Sequence, residues 1–415
     1  MKGFDVSSAF LHGVLEEEIW LRFPKEIATG HRAGKVARLR QSLYGLKQAG
    51  KCWNDRLDNW LKEQGWQANT TDACLYTHRD SQNQIDLMLY LHVDDSAVAG
   101  KSDEVIEAFA TRLNNQFPCT RQGDLKHFLG MEIQRDRARH VLWITQHVYT
   151  ERVLTKFGMQ DANSLSVPLS PSVQLSKGST TAHQSAIHLP YRELVGSLQY
   201  LATMTRPDIA FAVSKLGSMN ACWTLEHFDV AKKLLRYIVG TRTYGISLGG
   251  AKDGLVGYVD ADHSGCLDTR RSTTGWAVLF NGGLIGWKSK LQNVISHSTA
   301  ESEIMALDDI ARDLIWERRA FEALGLTSVS QVPTLVYVDN KSAIDLAKNR
   351  TSHDSTKHIH SKYLWIRDII GERHFAVKHV AGQDNPADIF TKPLPRDTLY
   401  RHLVTLGIEV PQSHG

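Results

Sequence analysis

The feature that most constrains the fold lies in the second half of the chain. Three strand-like segments, LVGYVDAD, TTGWAVLF and LIGWKSK, are followed by a long helical stretch from Thr299 to Leu324 and a fourth strand, TLVYVD. Helices from Lys341 and from His358 come next, then a last strand, HFAVKHV, ahead of Pro386. This order predicts a mixed sheet covered by helices. In LVGYVDAD the period of two puts Val256, Tyr258, Asp260 and Asp262 on one face, with Asp260 where the apolar run stops. Asp339 stands at the same place in TLVYVD. If the two strands are neighbours, their carboxylates emerge side by side, which is unfavourable unless a cation sits between them. The helix from Thr299 adds Glu303, one turn before Leu307 on the stripe Leu307, Ile310, Leu314, whereas Glu301 is expected on the far side. In Asn385-Pro386-Ala387-Asp388, Asn385 suits a helix cap, Pro386 the first helical position, and Asp388 projects from the first turn. A lone aspartate at a strand end or cap is ordinary. Four acids converging from separate elements predict a site for two hard cations, as two-metal phosphodiester cleavage requires.

At 415 residues the chain exceeds one ordinary core and predicts two or three domains. Residues 1–160 alternate apolar strands with amphipathic helices; one helix starts at the cap Ser102, with Ile106, Phe109, Leu113 and Phe117 on one stripe. Residues 161–190, rich in Ser, Thr, Pro and Gly, predict an exposed linker. Residues 191–250 predict helices, 251–395 the sheet domain and 396–415 a tail. LMLYLHVDDSAVAG reads as a hairpin with its two-residue turn at Asp94 and Asp95. Asp5 stands where an apolar strand would end, yet only four residues precede it, so the strand reads as cut short.

The charge balance, 48 Lys and Arg against 45 Asp and Glu, excludes a strongly basic nucleic-acid-coating protein. Five cysteines, spaced singly, form neither a zinc pattern nor a disulfide framework and predict a reducing compartment. Neither a signal-peptide core nor a membrane span is expected. Lys47, Lys51, Arg270, Arg271, Lys288 and Lys290 are candidates for neutralising phosphate; Trp287 and Trp316 could stack on bases, although such tryptophans are more often core.

GYVDADHSG, RRSTTGWAVLF, WKSK, STAESEIMAL, VYVDNKSA, TKHIH and NPADIFTKPL, in that order, resemble the ribonuclease H domain of copia-type retrotransposons over about Gly254 to Leu394. Carried over residue by residue, the resemblance implies metal-binding acids at Asp260, Glu303, Asp339 and Asp388, the four that patterning selects. His263 stands where the family has Trp, Ala300 where it has Glu, and nearby His379 receives no role. DVSSAFLHGVLEEEIWLRFP, LRQSLYGLKQAGKCW and YLHVDD resemble the palm of a copia-type reverse transcriptase, followed by FLGMEI and TRPDIAFAV of the same polyprotein. This implies metal binding by Asp5, Asp94 and Asp95, a nucleotide and template pocket lined by Gly45, Lys47 and Gln48, and a primer grip at FLGMEI. His92 replaces the Tyr of the YVDD box. The family's fingers, with their triphosphate clamp, are expected upstream of Asp5, so that this stretch alone would polymerise weakly.

The resemblance thus implies an α+β multidomain chain: a reverse-transcriptase palm and thumb fragment, a helical connection and a ribonuclease H-like mixed α/β sheet. It implies Mg2+, two ions per active site, with Mn2+ as substitute. The implied partners are RNA template, DNA primer, RNA:DNA hybrid, dNTPs where the polymerase is competent, and other polyprotein segments, in a cytoplasmic virus-like particle or the nucleus. The alternative is a degenerate or domesticated remnant that binds nucleic acid without catalysis.

Overall fold

The computed structural model describes residues 1–250, 254–348 and 360–409. The chain forms two compact units, residues 1–129 with 322–325 and residues 130–321 with 326–415.

The first unit comprises β1 (Lys2–Val6), β2 (Trp20–Arg22), β3 (Val36–Arg38), α1 (Ala49–Glu63), β4 (Trp66–Ala68), β5 (Leu75–Arg79), β6 (Ile85–His92), β7 (Asp95–Gly100), α2 (Asp103–Gln116), β8 (Cys119–Asp124) and β9 (His127–Phe128). Six strands form an antiparallel sheet in the order β4-β5-β6-β7-β1-β8. Helices α1 and α2 cover it: Trp53, Leu57 and Leu61 on one, Ile106, Phe109 and Leu113 on the other, share a core with Phe4, Leu89 and Val98. Ser102 caps α2, its hydroxyl accepting from Val105 N at 3.4 Å.

The strand ending near Asp5 and the hairpin both form, and one expectation changes, the position of the hairpin turn. The strand carrying Asp5 is β1, held between β7 and β8, with a register shift against β8 between Gly3 and Phe4. Its partners lie 90–96 residues downstream on β7 and 113–122 on β8, distances across which pairing leaves no local pattern. The hairpin turn is Val93-Asp94 rather than Asp94-Asp95, because His92 and Asp95 already pair across the strands. Val93 has φ 60°, left-handed backbone that a β-branched side chain adopts only under strain. The Trp53 indole, donating to Val93 O at 2.6 Å, pins that turn.

The second unit begins with β10 (Met131–Asp136), β11 (Val141–Thr145), α3 (His147–Lys156), α4 (Thr180–Ala186), α5 (Tyr191–Met204), α6 (Ala210–Ser218), α7 (Leu225–Gly240) and β12 (Gly245–Gly249). It continues with β13 (Leu255–Asp262), β14 (Thr273–Phe280), β15 (Gly283–Leu291), α8 (Thr299–Ala323), α9 (Ser328–Gln331), β16 (Thr334–Val338), α10 (Lys341–Lys348), α11 (His360–Gly371), β17 (Phe375–His379), α12 (Arg396–Thr405) and β18 (Ile408–Glu409). The main sheet runs β15-β14-β13-β16-β17, antiparallel from β15 to β13 and parallel from β13 to β17. Alternation along β14 splits its side chains between two cores. Trp276 and Val278 meet Leu307, Ile310 and Leu314 of α8; Ala277 and Leu279 meet Leu198, Leu234 and Ile238 of the helices α5 and α7. A strand covered on both faces reads as continuously apolar, as TTGWAVLF does.

That second core joins the 191–250 helices and the sheet into one unit, and it reaches into the stretch expected as an exposed linker. Leu169 and Ala186 are buried in it, and residues 180–186 form α4. Single apolar anchors among Ser, Pro and Gly carry no periodicity. The expected tail also folds, as α12 and β18, with Leu399, Leu403 and Ile408 buried; residues 410–415 lie outside the described residues. All five cysteines are free, and among the described residues no helix is long and apolar enough to cross a membrane.

Beside its core stripe, α8 holds Glu317, which is 6% exposed and whose Oε2 has no hydrogen-bond partner among the described residues. Burial, reinforced by Asp313, pushes its carboxyl from 4.5 up to about 8. The folded state therefore keeps a proton that the unfolded state has lost, and stability falls as pH rises from about 4.5 to about 8 and then levels. Glu317→Gln is expected to remove that slope. Its melting temperature should match the parent near pH 4.5, exceed it increasingly up to pH 8 and hold a constant lead above, as thermal melts across that range would read.

Candidate active site

β13 and β16 are parallel neighbours with Tyr258 opposite Tyr337, so Asp260 and Asp339, each two residues further on, leave adjacent strand ends. Their other neighbour comes from the far end of the sequence. Gly275, opposite Asp260 on β14, has no side chain to hold the 3₁₀ turn Pro386–Phe390 away; a Cβ there would meet Phe390 Cβ at 2.8 Å and Thr391 Cγ2 at 2.6 Å. Asn385 fixes that turn, accepting from Ala387 N at 3.2 Å and donating to Val259 O at 2.9 Å, which ties it to β13. Asp388 is thereby delivered to the strand ends. Oxygens of Asp260, Asp339 and Asp388 all lie within 4.8 Å of one another.

Glu303 approaches from α8. Its Oε1 accepts from Ala261 N at 3.3 Å, while Oε2 is buried with no hydrogen-bond partner among the described residues. Burial pushes its carboxyl well up, with Asp260 and Asp339 adding to the rise. Burial and Asp260 raise Asp339 against the pull of Lys392 and of His379, which is exposed at the end of β17. Burial and Asp260 bring Asp388 to about 7. Carboxyls raised together by burial and mutual repulsion, with an oxygen left unpartnered, have the donor chemistry of a hard-cation site.

Two further residues enter the site without having stood out in the sequence. The Thr391 hydroxyl donates to Asp260 Oδ2, and Lys392 Nζ sits 2.8 Å from Asp388 Oδ1 and 3.9 Å from Asp260 Oδ2. The one local signal was the i,i+4 spacing from Asp388 to Lys392. Glu301, expected on the far side of its helix, is also buried, its Oε2 accepting from His297 N at 2.7 Å. The first turn of α8 is covered on more than one face, so a single apolar stripe understates its burial.

In the first unit Asp5 and Asp95 are cross-strand partners on β1 and β7, with Asp94 in the turn, its carbonyl accepting from Val6 N at 3.0 Å. Burial, then Asp94 and Asp5, push the Asp95 carboxyl up. Among the described residues this trio is not gathered as tightly as Asp260, Asp339 and Asp388, the one such group found there. Gly45 and Lys47 are exposed in the loop before α1, and Gln48 donates to Glu17 at 2.5 Å beside a 270 Å³ cleft lined also by Lys51. Among the described residues, no hydrogen bond or ion pair joins them to the aspartates. Glu132 of FLGMEI caps α3, accepting from His147 N at 2.6 Å. Trp287 donates to Ala202 O and is structural; Trp316 is exposed. Lys288 is paired with Asp309 at 2.8 Å, whereas Arg270 and Lys290 are exposed. Lys357 and His358 of TKHIH lie outside the described residues.

Residues 1–171 match the family described as reverse transcriptase (RNA-dependent DNA polymerase). The chain is 39% identical, over 95% of its length, to the retrovirus-related Pol polyprotein from transposon TNT 1-94 of Nicotiana tabacum. It is 32% identical, over 100% of its length, to that from transposon RE1 of Arabidopsis thaliana. It spans 30% and 28% of the length of these two relatives. Among solved structures, LC11-RNase H1, isolated from compost, is similar to 36% of this chain and is covered over 99% of its own, with 14% identity and a TM-score of 0.26. The chain is a homologue of the retrovirus-related Pol polyproteins of copia-type transposons and carries a reverse transcriptase domain over residues 1–171.

Proposed function

We propose that the second unit hydrolyses the RNA strand of RNA:DNA hybrids and that the first is the palm of an RNA-directed DNA polymerase. One observation carries the nuclease reading: three carboxylates within 4.8 Å of one another, with a fourth, buried and half unpartnered, supplied by α8. Like charges this close call for protons or cations between them, and an all-oxygen donor set fits Mg2+, or Mn2+ in its place. Two such ions, when bound, activate water and stabilise the leaving oxygen. The chain's own residues fix where this chemistry takes place. Asp260 and Asp339 are set by strand register, Glu303 by the helix and its bond to Ala261, and Asp388 by the Asn385 cap seated against Gly275. A hybrid would be recognised by shape and 2′ hydroxyls, with exposed Arg270 and Lys290 as candidates for phosphate contacts.

For the palm, Asp5, Asp94 and Asp95 are assigned the metal ions that activate a primer 3′ hydroxyl and steady a dNTP, and Gly45, Lys47 and Gln48 the nucleotide and template pocket. RNA template, DNA primer and the remaining polyprotein segments are the partners this reading calls for. The nuclease reading is tested with a labelled RNA:DNA hybrid in Mg2+ and in EDTA: the RNA strand should shorten in Mg2+ alone while the DNA strand and an all-RNA duplex stay intact. Primer extension tests the palm, and synthesis that survives Asp94→Asn would contradict it.

A further inference from the structure

The carboxylate cluster contains a cation of its own. Lys392 Nζ forms an ion pair with Asp388 Oδ1 at 2.8 Å and stands 3.9 Å from Asp260 Oδ2, so one ammonium faces two of the gathered acids. Its anchorage differs from theirs. Asp260 and Asp388 side chains are 4% and 8% exposed, whereas that of Lys392 is 44% exposed. The acids are held by strands, a capped turn and a helix; the ammonium arrives on a flexible four-carbon stem. A cavity of about 170 Å³ adjoins the stem, lined by Lys392, Thr391, Asp262, Phe211, Lys215 and Leu267. It offers the side chain room to swing out and, in Asp262, a further carboxylate to swing towards.

We infer that Lys392 is a displaceable counter-ion: it neutralises the carboxylate cluster of the metal-free protein and gives way to divalent cations as they bind. The inference rests on reading the cluster as a divalent-cation site. A positive charge paired with Asp388 and close to Asp260 competes with each incoming cation, and it stabilises the cluster when none is there. Lys392 therefore lowers cation affinity in exchange for metal-free stability. It is a positioning residue in this account, since it acts through the acids.

The test follows melting temperature against Mg2+ concentration for the full chain carrying Asp94→Asn and Asp95→Asn, which removes the palm trio from the titration. In that background Lys392→Met is expected to melt several degrees lower in EDTA and to reach its half-maximal Mg2+ shift at about tenfold lower concentration, the scale of one exposed charge acting on a divalent ion a few ångströms away. Lys392→Arg, which keeps the charge, should titrate close to the parent. A half-maximal concentration that is unchanged or higher in Lys392→Met overturns the inference, whatever happens to the metal-free melt, because a plain structural ion pair would lower stability without moving the Mg2+ midpoint. If Mg2+ shifts neither the parent nor any variant, the cation-site reading itself falls, and the inference with it.

Discussion

Asp208→Ala is expected to destabilise the second unit by about 3–5 kcal/mol, the loss seen when a buried ion pair is left with one partner. Arg206 and Asp208 are both essentially inaccessible, and they meet through two bonds, Nε to Oδ1 at 2.9 Å and Nη2 to Oδ2 at 2.7 Å. The guanidinium also donates to Thr241 O at 2.9 Å and to Thr241 Oγ1, while Tyr237 OH donates to Asp208 Oδ2 at 2.8 Å. These bonds staple the start of α6 to the end of α7, so the core shared with the sheet depends on them. Removing the carboxylate strands a charge that has no water to turn to. Urea unfolding should show the loss, and an Arg206→Met, Asp208→Leu double substitution should recover much of it, because paired apolar replacements leave no buried charge behind. Equal instability in the single and double variants would contradict this account.

Glu303→Gln is expected to move stability and activity in opposite directions. Glu303 is 4% exposed, its Oε2 lacks a partner among the described residues, and burial together with Asp260 and Asp339 opposes its charge. An amide of the same shape carries no charge and can donate to a neighbouring carboxylate. The metal-free protein should gain about 1–2 kcal/mol, the order of the penalty for a buried unsatisfied polar group. Mg2+-dependent hybrid cleavage should fall by more than about 100-fold, the loss that disturbing the outer partners of metal ligands can already reach. A group that costs stability and is essential for turnover is the pattern of a functional site. Melting in EDTA alongside cleavage rates checks both signs; a variant that loses stability and activity together would mark Glu303 as structural.

The acids were legible because each sits where two local rules meet. Asp260 and Asp339 fall where an alternating apolar strand stops, Glu303 one turn back on a helical stripe, and Asp388 in the first turn after an Asn-Pro start. The order and mixed character of the sheet followed from the same periodicities. What stayed hidden depends on contacts between distant segments. Nothing near Gly275 announces that residues 386–391 will lie on it, and nothing near Lys392 announces Asp260, 132 positions earlier. The 161–190 stretch was not read as packed because its buried Leu169 stands alone, and the turn position was missed because Val93 accepts a backbone conformation its residue type disfavours. Local propensity decided the elements; tertiary pairing decided how they were completed.

The central claim is that four acids from four elements form one magnesium-dependent nuclease site, and cleavage of the RNA strand of a hybrid by the parent chain and by Asp339→Asn, each with Mg2+ and with EDTA, tests it most directly. The account predicts RNA shortening by the parent in Mg2+ alone and none by the variant, with both proteins melting cooperatively. Equal cleavage by parent and variant, or cleavage by the parent that persists in EDTA, would contradict it.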